Sequence, residues 1–136
     1  DLAAQGRNLA VAEVATMYGL KTGALIRAAV LMGAACAPAL TPRLWNALSA
    51  FAAPIGLAFQ IQDDLLDVLG VAATVGKKTG GDRARGKPTF PAILGVTASQ
   101  QRVRELHAEA IEALRPLGPS ADALRALADW LLVRSY

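Results

Sequence analysis

The 136-residue chain contains a single cysteine, Cys36, in "MGAACAPAL". No internal disulfide is possible, which fits a reduced, cytosolic setting and reads Cys36 as a small buried apolar residue. Aromatic residues are scarce, 5% against 54% hydrophobic overall. Ala and Leu fill the gap, a composition that favours packed helices over a sheet. No alternating stretch is long enough for a sheet, and there is no internal repeat or heptad run. The longest uncharged run, 44–62, is broken by Asn46, Ser49, Pro54, Gln60 and Gln62. It therefore reads as a buried core helix rather than the ~20 clean apolar residues of a membrane span. The start, "DLAAQGRN", has no initiator Met and no signal-like segment, which predicts a piece of a longer protein.

Helical spacing accounts for most of what is there. Residues 1–6 read as a helix end stopped by Gly6. A second helix is predicted from about Leu9 to Ala37, with apolar positions such as Leu25, Ala28, Ala29 and Met32, and Pro38 ends it. Thr41-Pro42 starts a third, Thr as N-cap and Pro at the first helical position. It should run to about Leu69, with a kink at Pro54 and a stop at Gly70. Residues 71–91, "VAATVGKKTGGDRARGKPTFP", lack periodicity and read as a long functional loop. After a short apolar piece, Thr97 caps a helix with the stripe Val103, Leu106, Ala110 and Leu114. "RPLGPS" is a turn, and Ser120 caps a last helix bearing Leu124, Leu127, Leu131 and Leu132. Trp45 and Trp130 read as packing residues and His107 as a surface residue. Arg134 reads as part of a solvated chain end.

Acidic residues are few, 11 in all, yet "FQIQDDLLDVLG" at 59–70 holds three of them. On a helix Gln60, Asp63, Asp64 and Asp67 stand at i, i+3, i+4 and i+7 and share one face. Carboxylates ~6 Å apart repel by roughly 0.7 kcal/mol in water and about four times that at an effective dielectric near 20. The helix C-terminal end is unfavourable for negative charge too. Helix stability does not explain the stripe; a hard cation such as Mg²⁺, held by carboxylates and substrate phosphates, would. The spacing lacks the Gly-containing loop of an EF-hand, and the plain alternative is a solvated helix face.

The next twenty residues add Lys77, Lys78, Asp82, Arg83, Arg85 and Lys87 among glycines. Ammonium and guanidinium groups there could hold phosphate oxygens. "LKTGALIRAAV" places Lys21 and Thr22 in an apolar helix. Burial of Lys21 would cost desolvation unless it met an anion, although a snorkelling surface Lys is the simpler alternative. Together these residues describe a Mg²⁺–diphosphate site against an apolar cavity, for a substrate with an anionic head and a hydrocarbon tail. A nucleic-acid role would rest on the basic loop alone, which lacks interleaved aromatics and contains Asp82.

The segments "DLAAQG" (1–6), "KTGALIRAAVLMGA" (21–34), "GLAFQIQDDLLDVLG" (56–70), "GKKTGGDRARGKPTFPAILG" (76–95) and "LADWLLVRSY" (127–136) together resemble the C-terminal half of the trans-isoprenyl diphosphate synthases (the polyprenyl synthetase family), on the side of the bacterial farnesyl diphosphate synthases. The resemblance implies an all-α isoprenoid-synthase bundle, of which 1–136 would be the C-terminal part of one domain. It implies a cytoplasmic homodimer without a membrane span that condenses an allylic diphosphate with isopentenyl diphosphate. It makes Asp63, Asp64 and Asp67 the second aspartate-rich motif, binding Mg²⁺ with Asp82. Asp63 is then the direct ligand, and Asp67 and Asp82 act through water. Lys21, Lys77 and Lys87 match diphosphate-binding positions, Thr22 and Gln60 groups beside the developing carbocation, Phe59 the prenyl pocket, and Asp1 an acidic position behind the metals. Tyr18 stands where many relatives have His. The family's first aspartate-rich motif and its isopentenyl-diphosphate-binding basic residues are absent from these 136 residues, so turnover by this chain alone is not expected. A type I terpene cyclase and a noncatalytic partner subunit are the alternatives. A membrane aromatic prenyltransferase would need several clean apolar spans.

Overall fold

The computed structural model describes residues 9–69 and 87–133, the side chains of 132 and 133 excepted. The expectations for residues 1–6, for Gly70 and most of the 71–91 loop, and for Arg134 lie outside the described residues.

Every described element is helical: α1 (Val11–Tyr18), a π-helical turn (Gly19–Gly23), α2 (Ala24–Ala35), α3 (Pro42–Leu69), α4 (Phe90–Leu94), α5 (Val96–Ala113), a 3₁₀ segment (Arg115–Ala121) and α6 (Asp122–Val133). α3 starts as its sequence dictates. The Thr41 hydroxyl accepts from Leu44 N–H at 3.3 Å and the Thr41 carbonyl from Trp45 N–H at 2.9 Å. The helix is unbroken across Pro54. By length and composition it could cross a membrane, but here it is the central helix on which the other elements pack.

α3 supplies two apolar clusters. Leu48, Phe51 and Ile55 in its first half meet Leu31 and Ala34 of α2, Ala110 of α5, Leu114, and Ala128 of α6. Ala58, Ile61 and Leu65 in its second half meet Val14 and Tyr18 of α1, Phe90 of α4, and Val103 and Leu106 of α5. The predicted α5 stripe is therefore buried as a whole, one half in each cluster. Between α4 and α5 the chain turns at Gly95, whose φ of 84° suits glycine.

Several expectations are corrected. The helix predicted over 9–37 runs from 11 to 35 and changes to π geometry at 19–23. Its apolar stripe faces outward: Leu25 is 73% and Met32 64% exposed, Ala28 and Ala29 are exposed as well, and Leu31 and Ala34 form the buried side. Cys36 is exposed. Trp130 is 58% exposed and Trp45 borders on exposed, so neither is a core residue. Phe90 and Pro91 open α4 rather than closing a loop, with Thr89 as N-cap accepting from Ala92 N–H. Val96 precedes Thr97 in α5, Ser120 lies in the 3₁₀ segment, and α6 begins at Asp122. Among the described side chains of α6, Ala128 is fully buried and Leu124 and Leu131 are partly buried, while Leu127 is 50% exposed. His107 is partly covered, with Nε2 2.7 Å from Asp129 Oδ1, and ties α5 to α6.

Candidate active site

The site forms where the π turn crosses α3. A π turn advances about one residue more per turn than an α-helix, and here it follows Tyr18 and includes Thr22. Across the crossing Gly23 meets Gly56 backbone to backbone. A Cβ built on Gly56 would lie 2.8 Å from Gly23 Cα. Two glycines let the helices approach closely enough for short polar side chains to bond across the gap.

Two such bonds form, one turn apart on each helix. Thr22 donates its hydroxyl to Gln60 Oε1 at 2.8 Å. Tyr18 donates its hydroxyl to Asp64 Oδ2. Gln60 Nε2 donates to Asp64 Oδ1 at 3.3 Å along α3, closing the network. Gln60 and Asp64 are 7% and 4% exposed. Their burial in a largely apolar helix is tolerated because each is hydrogen-bonded. The Tyr18 ring packs on Phe90 with centroids 5.7 Å apart.

Beside this network lies a cleft of about 320 Å³. Asp64, Asp67 and Val68 of α3 form one wall; Thr89, Pro91, Ala92, Gly95 and Val96 face them. Asp63 is exposed, Asp67 partly buried, and Lys87 partly buried at the start of the segment leading to α4. Lys21 is exposed, so no desolvation at that position demands an anion. Phe59 is half-buried on α3 and is not among the residues lining this cleft. Lys77, Asp82 and Asp1 lie outside the described residues. The structure thus brings Thr22, Gln60 and Asp64 into contact and sets Asp64 and Asp67 on one cleft. Tyr18 is the residue that sequence reasoning passed over. The sequence marked it only as standing where many relatives have His, and its partner Asp64 is 46 residues away.

Mg²⁺ is usually held by one or two carboxylates, waters and substrate phosphates rather than by an all-protein cage. Among the described residues no three His, Cys, Asp or Glu side chains converge on one point. Two carboxylates on a cleft are a donor set of the kind a Mg²⁺–diphosphate complex uses, so the residues fit that group.

Known proteins match this chain in sequence and in fold. The chain is 42% identical to farnesyl diphosphate synthase of Escherichia coli K12 over 138 aligned residues, covering 99% of this chain and 46% of the relative. It is 37% identical to farnesyl diphosphate synthase of Haemophilus influenzae, covering 98% and 45%. Among solved structures, an FPP/GFPP synthase of Zymomonas mobilis superposes with a TM-score of 0.80 at 32% identity, over 96% of this chain and 42% of that one. A geranyltransferase of Helicobacter pylori, solved in complex with magnesium and isoprenyl diphosphate, gives 0.78 at 28%, over 97% and 43%. The chain spans less than half the length of these proteins. The polyprenyl synthetase family model matches residues 1–118, and this chain belongs to that family.

Proposed function

We propose that this chain builds one side of the active site of a Mg²⁺-dependent prenyltransferase. The reaction would join an allylic diphosphate, dimethylallyl or geranyl, head to tail to isopentenyl diphosphate, giving farnesyl or a longer diphosphate. The observation that carries this reading is the pairing of Thr22 and Gln60 beside a cleft bordered by Asp64 and Asp67. Gln60 bonds Asp64, which with Asp67 borders the cleft, and of the other lining residues Thr89 alone carries a polar side chain. The magnesium and isoprenyl diphosphate bound by the Helicobacter pylori neighbour support it.

Asp63, Asp64 and Asp67, joined by Asp82, would hold Mg²⁺, which supplies charge neutralisation of the diphosphate leaving group. Lys21, Lys77 and Lys87 would bind diphosphate oxygens as point charges. Thr22 commits its proton to Gln60, so its oxygen offers lone pairs rather than a donor to developing positive charge. A fixed neutral dipole of this kind stabilises an allylic cation without moving during the reaction. The allylic C–O bond would break, its electron pair leaving on the diphosphate; the isopentenyl double bond would then form the new C–C bond to the allylic carbon, and the proton lost would go to the departing diphosphate. The half-buried ring of Phe59 would line the prenyl tail.

The test is product analysis of the intact protein with geranyl diphosphate and Mg²⁺, with and without isopentenyl diphosphate. Chain elongation that requires isopentenyl diphosphate is expected; conversion of the allylic substrate to a hydrocarbon in its absence would instead identify a cyclase. Asp63→Ala should cut turnover by about 100-fold or more, the scale of several kcal/mol of metal-borne stabilisation. Near-normal turnover in that variant would remove Asp63 from the metal site.

A further inference from the structure

The network at the crossing has a direction. Thr22 donates to Gln60, Gln60 donates to Asp64, and Tyr18 donates to Asp64 from the other side. The chain of donors ends on a carboxylate that is 4% exposed and yet borders the cleft. One oxygen of Asp64 accepts from Tyr18 and the other from Gln60, so these two donors together restrain both its position and the rotation of its carboxylate plane.

Tyr18 suits that task. It is 3% exposed, and its ring is held against Phe90 of α4. A packed ring with two side-chain torsions delivers its hydroxyl to one place at low entropic cost. Phe90 sits between Thr89 and Pro91, which form the wall opposite Asp64 and Asp67. One residue therefore contacts the helix carrying the carboxylates and the segment forming the facing wall.

Resting on the metal–diphosphate reading above, we propose that Tyr18 is a positioning residue for that site: its hydroxyl fixes the orientation in which Asp64 meets the metal–diphosphate complex, and its ring sets Asp64 against the opposite wall. Hydrogen-bond partners standing behind metal-binding carboxylates commonly change metal affinity by about 10–100-fold when removed.

The test is Mn²⁺ binding to the intact protein in the presence of inorganic pyrophosphate, read from the electron paramagnetic resonance signal of free Mn²⁺, without turnover. Tyr18→Phe keeps the ring and removes the donor; Mn²⁺ should bind about tenfold more weakly. Asp64→Asn keeps an acceptor for Tyr18 and loses the charge, and should also weaken binding. In the Asp64→Asn background, Tyr18→Phe should add less than about a twofold loss, because Tyr18 acts through that carboxylate. Wild-type affinity in Tyr18→Phe, or the same loss with and without Asp64, would overturn the proposal. So would wild-type affinity in Asp64→Asn, even if Tyr18→Phe failed to fold. A wild-type protein that binds no Mn²⁺ with pyrophosphate would overturn the metal–diphosphate reading itself, a result distinct from equal binding by wild type and variant.

Discussion

Gly56→Ala is the sharpest perturbation the structure offers. The added Cβ would lie 2.8 Å from Gly23 Cα and 3.7 Å from both Gly23 C and Gly23 O. Carbon atoms rest at about 3.5–4.0 Å, so the helices must part by roughly 1 Å. The obstructing atom is backbone, and no side-chain rotation relieves it. Overpacking of this kind costs about 1–3 kcal/mol, and the rigid partner places the cost near the top of that range. Replacing glycine in a helix interior returns about 1 kcal/mol, which leaves a net loss of about 2 kcal/mol. The opening should also stretch the 2.8 Å Thr22–Gln60 bond past useful hydrogen-bond length, since the two residues adjoin the crossing. Gly33→Ala is the matched control. It lies in α2 with nothing within 4 Å of its added Cβ, and should gain up to about 1 kcal/mol. Urea unfolding of the two variants and the parent, compared at constant m-value, measures both. A Gly56→Ala protein as stable as its parent would refute the close crossing, and with it the account of how Thr22 and Tyr18 reach α3.

Two further outcomes follow from the packing and the surface. Phe51 is 1% exposed and belongs to the cluster joining α2, α3, α5 and α6, so Phe51→Ala should lower unfolding free energy by about 3–5 kcal/mol in the same urea experiment. Glu105 accepts from the Gln101 amide, and then from Arg102, and these contacts hold its carboxyl below the ordinary value. Its small stabilising contribution is thus present above the unfolded-state pKa and lost as pH falls through the lower folded value. Carbon-detected NMR titration should show the midpoint rising toward the ordinary value in Gln101→Ala.

How much of this was legible beforehand depended on whether the cause was local. Thr41 and Pro42 announce the start of α3 because capping and a fixed φ act within one turn. The α5 stripe was legible because Val103, Leu106, Ala110 and Leu114 recur at helical spacing in otherwise polar sequence. In α2 nearly every residue is apolar, so periodicity cannot say which side is covered. The Leu25–Met32 face looked like core but is exposed, while Leu31 and Ala34 are buried. In α6 Leu124 and Leu131 pack against the core as their spacing suggests, while Leu127 is 50% exposed. The π turn left no composition signal, since nothing in Gly19–Gly23 sets it apart from a continuing α-helix. Tyr18 was noted only for standing where many relatives have His. Its importance depends on Asp64, 46 residues away, and no local rule reaches that far.

The carboxylates and the core are not separate features of α3. Asp64 lies between Ile61 and Leu65, which are 0% and 2% exposed, so the charged group occupies a position a leucine could fill. An unpaired buried carboxylate there would cost several kcal/mol. Gln60, one turn back on α3, and Tyr18 offset that cost, and Tyr18 reaches Asp64 because Gly23 and Gly56 bring the π turn against α3. The close crossing, the burial of Asp64 and the orientation of Asp64 toward the cleft therefore rise and fall together. Substitutions that loosen the crossing should damage metal binding before the protein unfolds globally. Substitutions in the cluster around Phe51, on the far side of Gly56, should lower stability while leaving metal binding in the folded fraction intact. Measuring Mn²⁺ affinity alongside urea stability for Gly56→Ala and Phe51→Ala separates the two. Equal loss of affinity per unit of lost stability in both variants would show that the site depends on general packing rather than on this one helix contact.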